Sequence, residues 1–132
     1  MTGPGHPLRV LIVDDEAFAR QRLAQLVGDV SATGEPSAHV VAALSGTGEA
    51  LAWLAAHEAD VVLLDVQMPG GDGTTFAARL QSMPRMPAVV FVTAHAQHAL
   101  KAFELEATDY LTKPVRRERL QSALARVARR LP

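Results

Sequence analysis

Acid, hydroxyl and ammonium side chains recur at one kind of position in this chain, the C-terminal tip of a short apolar run. Asp14 and Asp15 follow Val10-Leu11-Ile12-Val13, and Asp65 follows Val61-Val62-Leu63-Leu64. Thr93 follows Val89-Val90-Phe91-Val92, and Lys113 follows Tyr110-Leu111-Thr112. Aspartates brought together repel unless a cation sits between them, because like charges raise a carboxylate pKa. A hard dication with oxygen ligands relieves that, and Mg2+ suits a partial carboxylate set that leaves places for waters and a phosphoryl oxygen. An aspartate can also act as a nucleophile toward phosphorus. The metal and a lysine would then carry the charge on the transferring group, which is most of the catalysis available to phosphoryl transfer. Thr93, one strand over, is placed to hydrogen-bond a newly added phosphoryl oxygen. The set reads as a phosphoacceptor site rather than a metal site alone.

Singly, each of these residues has a plainer reading. An aspartate ending a strand is usually a helix cap or turn residue, Lys113-Pro114 is a strand exit because proline stops the ladder, and Thr93 is a strand residue. Their joint occurrence, in this order, is what carries the reading.

Such residues meet only if the apolar runs lie side by side. The β-branched runs are Leu8–Val13, His39–Leu44, Val61–Asp65, Ala88–Thr93 and Asp109–Thr112, and helix-period stretches lie between and after them near Ala17–Val27, Gly48–His57, Thr74–Ser82, Gln97–Leu105 and Arg116–Leu131. Three central runs are continuously apolar, as strands covered on both faces should be. The last stretch puts Leu120, Leu124, Val127 and Leu131 on one stripe with its arginines mostly off it. Turn chemistry is expected at Gly28 to Ser37, Met68 to Gly73 and Met83 to Pro87. Five βα units with short connections imply an α/β, doubly wound five-stranded parallel sheet. Ligands bind such a sheet in the crevice at its C-terminal edge.

At 132 residues with no cysteine, the chain is read as one domain from Leu8 to Pro132, without disulfides or thiolate metal sites, after a flexible arm over residues 1–7. No run is long and apolar enough to span a bilayer and no signal-peptide pattern opens the chain, so a cytoplasmic protein that makes no membrane contact is expected. The net charge of −1 gives no global pull toward nucleic acid. From Lys113 onward, however, seven basic residues face one acid, Glu118.

With these residues placed, the chain resembles the receiver domain of two-component response regulators over Leu8 to Leu131. The matching pieces are Leu-Ile-Val-Asp14-Asp15-Glu16, Val-Leu-Leu-Asp65-Val-Gln-Met-Pro69-Gly70, Val-Thr93-Ala94 and Asp-Tyr110-Leu-Thr-Lys113-Pro114. The stretch from Thr93 through Phe103 to Leu105, followed by Ala-Thr-Asp-Tyr110-Leu, further resembles receivers that precede LytTR-type DNA-binding domains. The resemblance implies a flavodoxin-like fold with strand order 2-1-3-4-5. It implies that Asp65 accepts the phosphoryl group, and that Asp15 and Asp65 ligate Mg2+ with the backbone carbonyl of Gln67 while Asp14 acts through water. Lys113 would pair with the phosphoryl group or, without it, with Asp65. Thr93 and Tyr110 would be the switch pair, the Lys113-Pro114 peptide would be cis, and Gln67 and His95 would tune the phosphoryl lifetime. Glu16 would add field more than ligation. The implied partners are a sensor histidine kinase, a C-terminal LytTR-type output domain absent from this chain, and a second copy in a homodimer favoured by phosphorylation. That dimer would use the face of Gln97–Leu105, Asp109–Thr112 and Arg116–Leu131, with Lys101, Glu104, Glu106, Asp109 and Arg119 pairing across a two-fold axis. The chain ends just past its last helix, and the LytTR-like segment favours a polypeptide cut at a linker over a stand-alone receiver. Catalysis would be limited to self-phosphorylation and self-dephosphorylation.

Other readings compete for parts of the sequence. Gly70-Gly71-Asp72-Gly73-Thr74 occurs in some ATP-using kinases, but it follows Met68-Pro69 where a glycine-rich turn is expected, and the chain is short for such an enzyme. A receiver that no longer takes phosphate and serves only as an interaction module would show gaps among the acceptor, metal, hydroxyl and lysine positions, and all are filled. His95 and His98 lack further ligands for zinc. Trp53 reads as a helix residue packed at the surface edge. Arg116, Arg117, Arg119, Arg126, Arg129 and Arg130 read as a solvated helix face rather than a DNA contact, the last of them favourably placed at the negative end of the helix.

Overall fold

Side-chain alternation along the strands divides the apolar residues between two cores. In the computed structural model, which describes residues 6–66, 73–94 and 107–131, the elements are β1 (Leu8–Val13), α1 (Ala17–Ala32), β2 (Ala38–Leu44), α2 (Thr47–Ala56), β3 (Val61–Asp65), α3 (Gly73–Leu80), β4 (Ala88–Thr93), β5 (Asp109–Thr112) and α4 (Arg117–Arg130). The strands form one five-stranded sheet in the order β2-β1-β3-β4-β5, with every pairing parallel. The expected helix at Gln97–Leu105, most of the loop after Asp65 and the first residues of the expected arm lie outside the described residues.

Successive residues of a strand point to opposite faces. Val10 and Ile12 of β1, Val61 and Leu63 of β3, Val90 and Val92 of β4 and Leu111 of β5 therefore face one way, and α1 and α4 cover them with Leu23, Leu26, Val27, Val30, Leu120, Leu124 and Val127. Leu11, Val13, Val62, Leu64, Val89 and Phe91 face the other way, against Ala50 and Leu54 of α2 and Phe76, Ala77 and Leu80 of α3. The central strands are buried on both sides, as their unbroken apolar runs predict. Trp53 is half-buried beside the second core and stacks on His57, matching its expected place at the surface edge. Among the described residues no helix is long and apolar enough to cross a membrane.

Two local expectations need correction. The first helix does not end near Gly28 but continues to Ala32, because Val30 is fully buried in the first core. A glycine inside a helix costs about 1 kcal/mol relative to alanine. Burying a valine side chain returns about 1.5 kcal/mol or more, so packing overrides the glycine. The turn forms later, at Gly34, whose φ of +108° suits a residue without a side chain. The arginines of α4 are also not merely a solvated face. Arg119 Nη1 and Nη2 donate to the Asp109 carboxylate at 2.9 and 2.6 Å, and Arg126 Nη1 lies 3.8 Å from it.

Candidate functional site

The edge where β1, β3, β4 and β5 end collects the acid, hydroxyl and ammonium groups. Register places Val13 beside Leu64, Asp65 beside Val92 and Thr93 beside Thr112, so the strand tips finish nearly level. The ladder runs on past the strands: the Asp14 N–H donates to the Leu44 carbonyl at 3.0 Å, Val66 N–H to Val92 at 3.2 Å, and Lys113 N–H to Thr93 at 2.7 Å. Each functional side chain therefore leaves a backbone held by its neighbour.

Carboxylate oxygens of Asp14, Asp15 and Asp65 all lie within 4.8 Å of one another. Asp14 is fully buried, Asp65 is 5% exposed, and Asp15 is open to solvent. Lys113 Nζ stands 3.2 Å from Asp14 Oδ2 and 3.7 Å from Asp65 Oδ2. The lysine thus pairs with Asp65, as the resemblance implied, and sits nearer still to Asp14. Burial opposes the ammonium charge, but the Asp65 and Asp14 carboxylates outweigh it and hold Lys113 above the ordinary lysine range. Asp14 is used on every side. Its Oδ1 accepts the Glu16 N–H at 2.9 Å, its Oδ2 accepts Lys113, and its main-chain carbonyl accepts Arg20 Nη1 at 2.9 Å. Glu16 is exposed, and its charge acts on Lys113 beside the cluster of Asp14, Asp15 and Asp65.

The donor set is all carboxylate oxygen, with neither imidazole nor thiolate, which fits a hard dication rather than zinc. Thr93 is buried at the tip of β4. By strand parity it shares its face of the sheet with Phe91, and Tyr110, opposite Phe91 on β5, packs against the same core. The two implied switch residues therefore lie on one face. The Lys113-Pro114 peptide is cis, as expected; a second cis peptide, Glu35-Pro36, was not foreseen. Gln67, His95 and His98 lie outside the described residues. Sequence reasoning missed Arg20 and the Asp109–Arg119 clamp. For Arg20 the available signal was its place one turn into α1, since helical side chains lean back toward the N-terminus. For the clamp, the residues are joined only through the turn around Pro114.

The sequence profile of the family described as the response regulator receiver domain matches residues 10–125. The positive alginate biosynthesis regulatory protein of Pseudomonas aeruginosa is 48% identical over 92% of this chain and 48% of its own length. The sensory transduction protein LytT of Bacillus subtilis is 43% identical over 89% of this chain and 46% of its own. The chain spans about half the length of these curated relatives. Among solved structures, the response regulatory domain of protein mrkE from Klebsiella pneumoniae matches with a TM-score of 0.80 at 32% identity, covering 92% of this chain and 96% of that one. Chemotaxis protein CheY4 of Vibrio cholerae matches with a TM-score of 0.75 at 29% identity, covering 92% and 99%. Sequence, fold and the level strand tips agree: the chain belongs to the response regulator receiver domain family and is similar to LytTR-type members of it.

Proposed function

We propose that this domain accepts a phosphoryl group on Asp65 from a sensor histidine kinase, with Mg2+ bound at the acidic cluster, and thereby switches an interaction face that governs a C-terminal output domain. The observation that carries this reading is the meeting of Asp14, Asp15 and Asp65 within 4.8 Å, beside the Lys113 ammonium.

Asp15 and Asp65, with the Gln67 carbonyl, are the direct metal ligands. Asp14 acts through water, in keeping with the Glu16 N–H and Lys113 already held by its two oxygens. When bound, Mg2+ supplies positive charge against the acids and the transferring oxygens. An Asp65 oxygen forms the new bond to phosphorus while the donor's bond to phosphorus breaks, its electron pair leaving with the donor. Lys113 steadies the incoming oxygens. Water later attacks the acyl phosphate, returning Asp65 and inorganic phosphate, and the domain does no other chemistry. Thr93 and Tyr110 relay the state of Asp65, while Gln67 and His95 tune its lifetime. The output is a population shift of the switch face, which favours a homodimer and a LytTR-type DNA-binding domain beyond it. The receiver acts in the cytoplasm and touches neither nucleic acid nor membrane itself.

Incubation with acetyl phosphate and Mg2+, read by intact mass, tests the assignment. Wild type should gain a single phosphoryl group and Asp65→Asn none. Asp65→Asn labelled to the same stoichiometry refutes the acceptor, and an unlabelled wild type leaves an interaction module in its place.

A further inference from the structure

We propose that Arg20 is a positioning residue of the acidic pocket: it locks the peptide joining Asp14 to Asp15, so that the Asp15 carboxylate faces Asp65. The proposal rests on the reading of that pocket as a Mg2+ and phosphoryl site.

Arg20 lies on α1, its N–H bonded to the Glu16 carbonyl at 3.0 Å. Its half-buried side chain runs back toward the helix start, as helical side chains do, and Nη1 donates to the Asp14 main-chain oxygen at 2.9 Å. That oxygen belongs to the peptide plane that leads into Asp15. The other fixings of Asp14 hold its N–H to Leu44 and its carboxylate to Glu16 and Lys113. The turn from Glu16 N–H to Asp14 Oδ1 closes over the outgoing peptide, and Arg20 adds a bond made directly to that peptide's own oxygen. Asp15 is exposed on the turn, so its direction follows from that plane more than from packing.

Arg20 is also a cation close to a cluster of acids, and its two possible roles predict opposite signs. As a charge alone, it repels a dication, and its removal should tighten Mg2+ binding. As the donor that sets the peptide plane, its removal should loosen Asp15 and weaken binding, as loss of groups that orient metal ligands commonly does.

Mg2+ titration followed by backbone amide NMR shifts separates the two, with thermal melting in parallel. Arg20→Ala should weaken Mg2+ binding about tenfold while the folded amide pattern persists. Arg20→Lys, which keeps a donor of similar reach, should recover most of the loss. Arg20→Met retains the apolar stem without a donor; it should match Arg20→Ala, and serves in its place should the alanine variant fail to fold. Equal or tighter Mg2+ binding in the alanine or methionine variant overturns the proposal, as does Arg20→Lys behaving no better than they do. A wild type without any Mg2+ response fells the pocket reading itself, a different result from a responsive wild type indifferent to Arg20.

Discussion

Asp14 and Asp15 are neighbours with different work. Asp14 is fully buried and holds Glu16, Arg20 and Lys113 together, whereas Asp15 is exposed and reaches Asp65 across the cluster. Removing a buried acceptor strands its donors, at a cost of about 2 kcal/mol. Asp14→Ala should therefore lower stability by about that amount in urea unfolding, since the Glu16 N–H loses its Asp14 acceptor and Lys113 keeps only the longer contact to Asp65. Asp15→Ala should leave stability within about 0.5 kcal/mol yet abolish most Mg2+-dependent amide shifts. A Mg2+ response that survives Asp15→Ala intact refutes the metal site. The residue types and their strand-tip positions were readable from the chain. Which oxygen each donor holds was not, because that depends on side-chain approach across three strands.

Among the elements, the contact between β5 and α4 is tied by Asp109, which is buried with 7% exposure. Burial opposes its ionisation, but Arg119's two hydrogen bonds, the Tyr110 N–H and the nearby Arg126 outweigh it and keep the carboxyl below its ordinary range. Arg119 also donates to the Tyr110 carbonyl at 2.8 Å and lies 5.9 Å from the Tyr110 ring centre, so the same guanidinium braces the proposed switch residue. A carboxyl whose folded pKa is depressed contributes stability that is fully present above its unfolded pKa, near 3.9, and is lost as pH falls through the folded value. Asp109→Asn should cost about 2 kcal/mol at neutral pH and lose less stability than wild type on acidification below about pH 4. Urea unfolding across that range measures both, and superimposable acid limbs would exclude the clamp as a source of stability. Asp60, held by Arg9 just before the start of β3, shifts the same way and keeps some acid dependence in the variant.

For the whole molecule, the proposed output is a dimer favoured by phosphate at Asp65. Asp109 and Arg119, two of the charges expected to pair across its two-fold axis, pair with each other within the chain. Lys101, Glu104 and Glu106 lie outside the described residues. Thr93 and Tyr110 share a sheet face, so the proposed shift of Thr93 toward a phosphoryl group would act on the face that carries Tyr110. Sedimentation with beryllofluoride and Mg2+ should show a heavier species than without, and Thr93→Ala and Tyr110→Ala should each reduce the difference. An activated protein that stays monomeric at high concentration, or dimerises equally well without Thr93, excludes this coupling while leaving the acceptor chemistry untouched.

Period-two burial and the apolar runs of the central strands were enough to anticipate a doubly wound parallel sheet, because a strand covered on both faces has no polar positions to spare. The same runs located Asp14, Asp15, Asp65, Thr93 and Lys113, since parallel strands all present their C-terminal ends along one edge. Contacts across the fold lay beyond that reach. The end of α1 was decided by Val30 entering the core past Gly28. The bridging of Lys113 between two acids was decided by the approach of β5's exit to β1 and β3. Arg20 reaching Asp14, and Arg119 reaching Asp109, depend on where a helix settles against a strand end. Local patterning specifies which face of an element is buried; packing of one element on another sets the ångström-level distances on which the chemistry depends.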